Sequence, residues 1–578
     1  MGVEFSVAAQ GRKSVAASRS IDQDQSDLHI EDWSNVPEDW LDEALPRFSP
    51  SERSDMLRHK IIPYCWLPQR TVYGVATDMA IHEGRCRNLT LVGKVRPHVY
   101  RKVVRKHFSR SLLFEAVHGL GHRKPWASAE QRLSPGQKWV AGLLLVALVL
   151  LVALDCISLV TGLLQLAAGL FFLMVVILRG LCMMPLPTGP GVVAPLLAED
   201  DLPVYTVLVP LFRETSVVIK LMEALSRLSY PRDKLDIKII LEEQDRPMHV
   251  AIKALGLPSY FDVIIVPTGK PQTKPRALNY AVQFARGTLV TIYDGEDVPD
   301  PNQLLLAAAQ FAVADDDLAC LQASLDFFNA TENWMTRHFT SEYAALFRVV
   351  LPTLAAYGLP LPLGGTSNHF RLSALDAVGY WDAFNVTEDA DLGIRLARHG
   401  YKSGILHSTT LEEANTELGN WMKQRRRWLK GFLQTWLVHN RDPLLLARET
   451  GFSGFMAIQA MTLGVFASAL LHPLLLALAL WNLLPENVAR MGETFAGSLI
   501  SGFSLALLLA GYISAIATSG KGLKQIGASG WTSILATIPL YWMLSSVAAW
   551  MALWDFVVAP HHWHKTRHGL TRHGQGRA

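Results

Sequence analysis

From Trp139 to Met184 the chain is almost entirely apolar, WVAGLLLVALVLLVALDCISLVTGLLQLAAGLFFLMVVILRGLCMM. About 20 residues of helix cross a bilayer core, so residues 138–184 predict two spans with a turn near Asp155–Gly162. Both must be helical, because lipid offers the backbone no hydrogen-bond partner. Residues 202–450 follow another pattern. Apolar runs bounded by turn residues (YTVLVP, DIKIIL, FDVIIV, GTLVTIYD) alternate with helical stretches such as ETSVVIKLMEALSRL and KPRALNYAVQFARG. That alternation predicts a mostly parallel sheet covered by helices, with ligands bound beyond the carboxyl ends of its strands. Hydrophobicity returns over 451–558: an interfacial helix leading into a span, a second span at AGSLISGFSLALLLAGYISAIA, and a Trp-rich third segment.

Charge orients these segments. The basic positions before the first span, among them Arg101, Arg105, Lys106, Arg123 and Lys138, predict a cytoplasmic side,. Two spans return the chain there after Met184. The loop around Lys521 and Lys524 and the tail at 559–578, HHWHKTRHGLTRHGQGRA, carry the same sign, yet one ordinary span cannot join two segments on one side. Either the last segment is partly interfacial, as Pro539 and its tryptophans favour, or the tail lies outside,. The tail itself reads as a basic interfacial anchor, the alternative being metal binding through its histidines.

Residues 28–125 read as a small α/β unit, with strands in HKIIPYCWLPQRTVYGVAT and RNLTLVGKV and a basic helix at RPHVYRKVVRKHF. Residues 1–27 are polar and Ser-rich without an apolar leader core, which predicts a disordered tail,. Half of the 578 residues are apolar and 18% are charged, so membrane segments are expected rather than one larger core,. A formal charge of +3 implies no nucleic-acid partner,. The five cysteines form no metal-ligand spacing and read as reduced thiols,.

The chemistry concentrates at YDGEDVPDP, residues 293–301, where Asp294, Glu296 and Asp297 follow an apolar strand. Asp294 and Glu296 suit a divalent cation, Mg²⁺ or Mn²⁺, which prefers oxygen ligands and shares them with phosphates. Four further patches lie in the same segment: the acidic strand end Glu242, Glu243, Gln244 and Asp245; Lys274 and Arg276 ahead of a helix; Thr387, Glu388 and Asp389 at a helix start; and Gln424 with three arginines and Trp428. Each has a plain alternative: a solvated loop, a surface turn, a helix cap with dipole-complementing acids, or an anionic-lipid anchor. Their order in one α/β segment argues for a site.

That order resembles family 2 glycosyltransferases of the membrane-embedded, cellulose-synthase-like kind. The matching motifs are VYTVLVPLFRE, LEEQD, KPRALN, DGED, TED and QRRRW, the last two being the most specific. The sequence departs from the family at Glu242–Glu243, where a pair of aspartates is usual, and at Asp-Gly-Glu in place of Asp-x-Asp. The resemblance implies an α/β GT-A (Rossmann-like) catalytic domain inserted between transmembrane α-helices, with a small α/β N-terminal domain. It implies an inverting transfer from a nucleoside diphosphate sugar, probable UDP-sugar chemistry, at a bacterial inner membrane with the catalytic domain cytoplasmic. Donor binding would fall to Glu242, Glu243, Asp245, Lys274, Arg276, Asp294 and Arg427, and the metal to Asp294 and Glu296. Asp389 would be the base beside Glu388, while Gln424, Trp428 and Thr387 would hold the acceptor. The stretch LPLGGTSNHFR, 361–371, reads as a loop near that acceptor.

Three functional readings stand: a processive β-glycan synthase, with or without coupled export; a single-addition transferase acting on a lipid-linked or short-glycan acceptor; and a nucleotide-sugar-binding transporter or receptor without turnover. Membrane lipids are partners in all three. The N-terminal unit faintly resembles that of type II secretion ATPases, through YCWLPQRTVYGVAT, which implies a docking unit or a regulatory-ligand site of the cyclic di-GMP kind.

Overall fold

The computed structural model describes residues 97–154, 157–186, 194–482 and 495–563, the strands between 28 and 95, and isolated positions outside these ranges. The tail expected at 1–27 lies outside the described residues, as do the side chains of Cys65, Cys86 and Cys156. Cys182 and Cys320 are free and buried. The chain divides into two compact units, Met1–Glu115 and Ala116–Ala578.

In the first unit, β1 (Leu28–Ile30), β2 (Ile61–Trp66), β3 (Val72–Ala76) and β4 (Leu89–Val95) form a sheet of order β1-β4-β3-β2. Strand β4 runs parallel to β1 and β3, and β2 is antiparallel to β3. Helix α1 (Pro97–His107) buries Val99, Tyr100, Val103 and Val104 at helical spacing and leaves Lys102, Arg105 and Lys106 exposed,. Helix α2 (Ser109–Arg123) follows.

Two apolar helices come next, α3 (Pro135–Ala153) and α4 (Ile157–Leu181). A capping box starts α3: the Ser134 hydroxyl accepts from the Gln137 N–H, and the Gln137 side chain accepts from the Ser134 N–H,. The turn expected near Asp155–Gly162 is tighter, because α4 already begins at Ile157 and includes Gly162.

The sheet unit runs β5 (Tyr205–Leu211), α5 (Val218–Ser226), β6 (Leu235–Glu242), α6 (Arg246–Ala254), β7 (Phe261–Val266), α7 (Lys274–Val282), β8 (Leu289–Ile292) and β9 (Val298–Pro299). It continues with α8 (Gln303–Val313), β10 (Leu318–Phe327), α9 (Trp334–Ala345), β11 (Asn368–Arg371), α10 (Leu372–Val378), α11 (Glu388–Arg398) and β12 (Lys402–Glu412). The strand order is β7-β6-β5-β8-β11-β10-β12-β9. Strands β5 to β8 are parallel, as their continuous apolar runs predict,. The sheet is nonetheless mixed, because β11 pairs antiparallel with both β8 and β10. The last four residues of the stretch expected as an acceptor-side loop, Asn368–Arg371, therefore form a central strand. Its polar letters misled: Asn368 and His369 are buried and bonded to Gln322 and Tyr205 respectively.

Beyond the sheet come α12 (Leu418–His439), α13 (Pro443–Gln459), α14 (Val465–Asn482), α15 (Phe495–Gln525) and α16 (Ile538–Val558). Among the described residues four helices, Pro135–Ala153, Pro443–Trp481, Gly502–Gln525 and Ile538–Val558, are long and apolar enough to cross a membrane. The last of them also packs along α12. Tyr541 bonds Trp421 and Glu342, Asp555 pairs with Arg426, and Lys430 and Gln434 donate to the carbonyls of Ala559 and Pro560. The partners climb α12 as α16 advances, so the two helices lie lengthwise in the same direction. Leu540, Val547, Trp554 and Val558 remain exposed on α16. Residues at both ends of α16 are thus bonded to α12 or α9. Reporter fusions placed after Ala198 and after Thr571 are expected to report the same side of the bilayer, both fluorescent as green fluorescent protein and both inactive as periplasmic phosphatase.

Candidate active site

The carboxyl ends of β5, β6 and β12, the amino ends of α7 and α11, and one face of α12 enclose a cavity of about 1010 Å³. Of the residues expected to carry chemistry, Glu242, Lys274, Asp294, Glu296, Thr387, Glu388, Asp389, Gln424, Arg427 and Trp428 line it.

The YDGED turn sorts its acids. Asp294 and Glu296 face the cavity, whereas Asp297 is 1% exposed and accepts from the Asp294 N–H at 2.7 Å and from the Thr366 hydroxyl. Gly295 between them leaves room for Glu214, one of whose carboxylate oxygens would stand 2.6 Å from a Cβ there. The partner of Asp294 is Lys274, whose Nζ lies 2.5 Å from Oδ1 and donates to the Gly365 carbonyl at 2.6 Å. Burial alone would pull the Lys274 ammonium down, but Asp294, Glu388 and Asp389 outweigh it and hold the group above its ordinary value,. A further acid, Glu412 at the end of β12, also lines the cavity. Burial and then Asp297, Glu296 and Asp294 push its carboxyl well above the usual range. Among the described residues no group of three or more His, Cys, Asp or Glu side chains is arranged to hold a metal. The hard oxygens of Asp294 and Glu296 amid this surplus of acid fit a divalent ion that takes its remaining ligands from water and phosphate.

At the start of α11, burial raises both Glu388 and Asp389. Glu388 is pushed to about 8 by burial and by the Asp389 charge, against the pull of Lys274 and Arg427. Asp389 is raised by burial, with the Ala390 N–H, Lys274 and Arg427 opposing. The approach of Gly365 keeps this corner open, as a Cβ there would lie 3.3 Å from Asp389 Oδ2. The Thr387 hydroxyl is already engaged, 3.4 Å from both Asn385 Oδ1 and Thr435 Oγ1.

Helix α12 turns about 100° per residue, which separates its three arginines. Arg425 forms a two-pronged pair with Glu342, and Arg426 one with Asp555. Arg427 alone points into the cavity, on the face it shares with Gln424 and Trp428. Its guanidinium stacks 4.4 Å from the Trp563 ring and faces Glu388, Asp389 and Asp294 without an ion pair of its own among the described residues. A buried cation that lines a cavity in this way suits an anionic ligand. The Trp428 ring packs against Phe339 at 5.8 Å and Tyr343 at 6.2 Å, and the Gln424 carbonyl accepts from Asn415 at 2.7 Å.

Three expected donor ligands are not brought to the cavity. Arg276 is fully buried and spends itself on Glu242 and the Gly269 carbonyl, so it holds Glu242 in place rather than presenting to a ligand. Glu243 faces outward, kept below its ordinary range by the Thr268 N–H and hydroxyl. Asp245 is buried and accepts from the Arg213 N–H at 2.5 Å. Conversely, the tail expected as a membrane anchor contributes His561, His562, Trp563 and Lys565 to the cavity wall. His561 Nδ1 sits 3.1 Å from the Phe384 carbonyl, and Lys565 pairs with Glu214 at 2.9 Å. The sequence signal for this was the charge conflict over the last apolar segment.

Residues 289–560 match the family model described as glycosyl transferase family group 2. The beta-monoglucosyldiacylglycerol synthase of Synechocystis sp. is 28% identical over 284 residues, which cover 48% of this chain and 57% of that protein. The probable glucomannan 4-beta-mannosyltransferase 1 of Arabidopsis thaliana is 24% identical over 240 residues, 40% of this chain and 43% of that protein. The chain thus spans about half the length of these curated relatives. Among solved structures, the mannosyltransferase PcManGT of Pyrobaculum calidifontis, in complex with GDP-Man and Mn²⁺, is 17% identical with a TM-score of 0.41, covering 63% of this chain and 99% of that one.

Proposed function

We propose that this chain, a family 2 glycosyltransferase over residues 289–560, moves a hexose from a nucleoside diphosphate hexose to an acceptor hydroxyl at the membrane surface, inverting the anomeric carbon. The observation that carries this reading is one cavity holding a buried carboxylate, Asp389, a guanidinium without an ion pair of its own, Arg427, and the Lys274–Asp294 pair. The diphosphate lies against Arg427 and Lys274, the two cations that face those acids,. Asp294 and Glu296 would hold a divalent ion, whose charge would stabilise the leaving phosphate,. Glu242, locked by Arg276, meets the nucleoside end. Asp389 takes the proton from the attacking hydroxyl. Trp428 offers an aromatic floor to the acceptor, with Gln424 beside it,.

The preferred acceptor is the end of a growing β-linked glycan, supported by the glucomannan mannosyltransferases among the relatives and by QRRRW. A second reading, one hexose added to a lipid, is favoured by the glucosyldiacylglycerol synthases. In both, the apolar helices bring the acceptor to the bilayer, with the catalytic unit on the cytoplasmic face.

Asp389→Asn is expected to lower transfer by about 10²–10⁴-fold while calorimetric binding of UDP-glucose or GDP-mannose changes by less than about twofold. Retained transfer would reject the base assignment. The pH dependence follows from the raised carboxyls. A protonated carboxyl cannot accept the acceptor's proton, so activity is present above the folded-state pKa and lost as pH falls through it,. The acid limb of kcat is therefore expected above about pH 4, the ordinary aspartate value,, and a limb below that value would contradict the geometry. Membranes incubated with labelled donor are expected to yield long, β-glucanase- or β-mannanase-sensitive product; a product confined to one hexose on extractable lipid establishes the second reading.

A further inference from the structure

Behind the cavity, one face of α12 is keyed onto the segment that carries the base. The contacts recur at every turn. A methyl at Gly431 would run into the Thr387 side chain, so only glycine permits the approach. One turn on, the Asn385 amide donates to Thr435 Oγ1 at 2.9 Å. The last contact, at the end of α12, is His439, fully buried, with Nε2 3.0 Å from Asp391 Oδ1. Asp391 is two residues beyond Asp389 on α11 and is likewise fully buried.

The protonation of His439 follows from its neighbours. Arg398 Nη1 stands 3.2 Å from His439 Nδ1, and a guanidinium can only donate,. Nδ1 is therefore the acceptor, and Nε2 carries the proton that bonds Asp391. Burial, which lowers the ring's pKa, agrees with a neutral imidazole. The second Asp391 oxygen accepts from Arg395 Nε at 2.8 Å, and Arg398 Nε pairs with Glu449 of α13 at 2.5 Å. The neutral ring thus joins two balanced ion pairs, Asp391–Arg395 and Arg398–Glu449, without adding charge to the interior. None of these groups lines the cavity.

We propose that His439 is a positioning residue for the transfer: by latching the end of α12 to Asp391, it fixes the register between Arg427, on α12, and Asp389, on α11. The proposal rests on the reading of Asp389 as base and Arg427 as the partner of the diphosphate. Twelve residues separate Arg427 from His439, about 18 Å of helix. Without the latch that end of α12 and its partner Asp391 are free to shift, and a change of about 1 Å in the spacing of Asp389 and Arg427 costs up to about 100-fold in rate,.

The test uses the full chain in detergent with Mn²⁺ and whichever of UDP-glucose and GDP-mannose the wild type turns over. His439→Leu keeps the bulk and removes both hydrogen bonds; its kcat is expected to fall about 30–100-fold with donor KM within about twofold. His439→Gln, which can both donate to Asp391 and accept from Arg398, is expected to recover kcat to within about fivefold. A wild-type kcat in the leucine variant, a loss carried by KM alone, or a loss that glutamine does not restore overturns the proposal. If the leucine variant is not recovered monodisperse, His439→Asn, too short for both partners, takes its place: a drop of about tenfold supports the latch and a wild-type kcat overturns it. Asp389→Asn run in parallel separates the two levels. If it transfers at the wild-type rate, the underlying reading fails; if it is inactive while the His439 variants are unimpaired, only the latch fails.

Discussion

A buried helix that carries consecutive charges must find each a separate partner, because successive side chains leave it about 100° apart. Helix α12 meets that constraint three times in a row. Arg425 is neutralised by Glu342 and Arg426 by Asp555, and both pairs tie α12 to helices outside the sheet. Arg427 faces acids across open space instead of a paired carboxylate. The position of α16, the route of the tail and the orientation of Trp428 follow from how the first two arginines are satisfied.

Acidic side chains outnumber basic ones in the cavity. Asp294, Glu296, Glu388, Asp389 and Glu412 line it, with Glu242 at one end, against Lys270, Lys274, Lys565 and Arg427. Burial raises Glu388, Asp389 and Glu412, each reinforced by a neighbouring acid or opposed by Lys274. A ligand that arrives with a divalent ion and an anionic diphosphate is matched to this arrangement: the ion meets the surplus of carboxylate, the phosphates meet the arginine.

Much of this was legible in the sequence because periodicity and local chemistry coincided. The parallel strands β5 to β8 are continuous apolar runs, and each acidic motif sits at a strand end or helix start. What escaped depended on contacts between distant segments. Arg276 reads as an anion ligand until Glu242 is placed against it, 34 positions earlier. Strand β11 is polar in letters but buried, its side chains bonded within the sheet. Glu412 stands alone in the sequence and becomes part of an acidic cluster only through the pairing of β12 with β10. The tail resembled a lipid anchor because its basic and aromatic residues suit a bilayer surface as well as an acid-lined pocket, and its place in the cavity wall shows only in the fold.

Helix α3 presents the opposite case. It has no buried residue at all, and Leu143, Leu144 and Leu145 are each more than half exposed. Its only specification is thickness: any greasy sequence of the same span would serve, so its letters are free to drift while its length is held. Among related chains, conservation should therefore collapse across this helix and recover abruptly at the polar cap on Ser134.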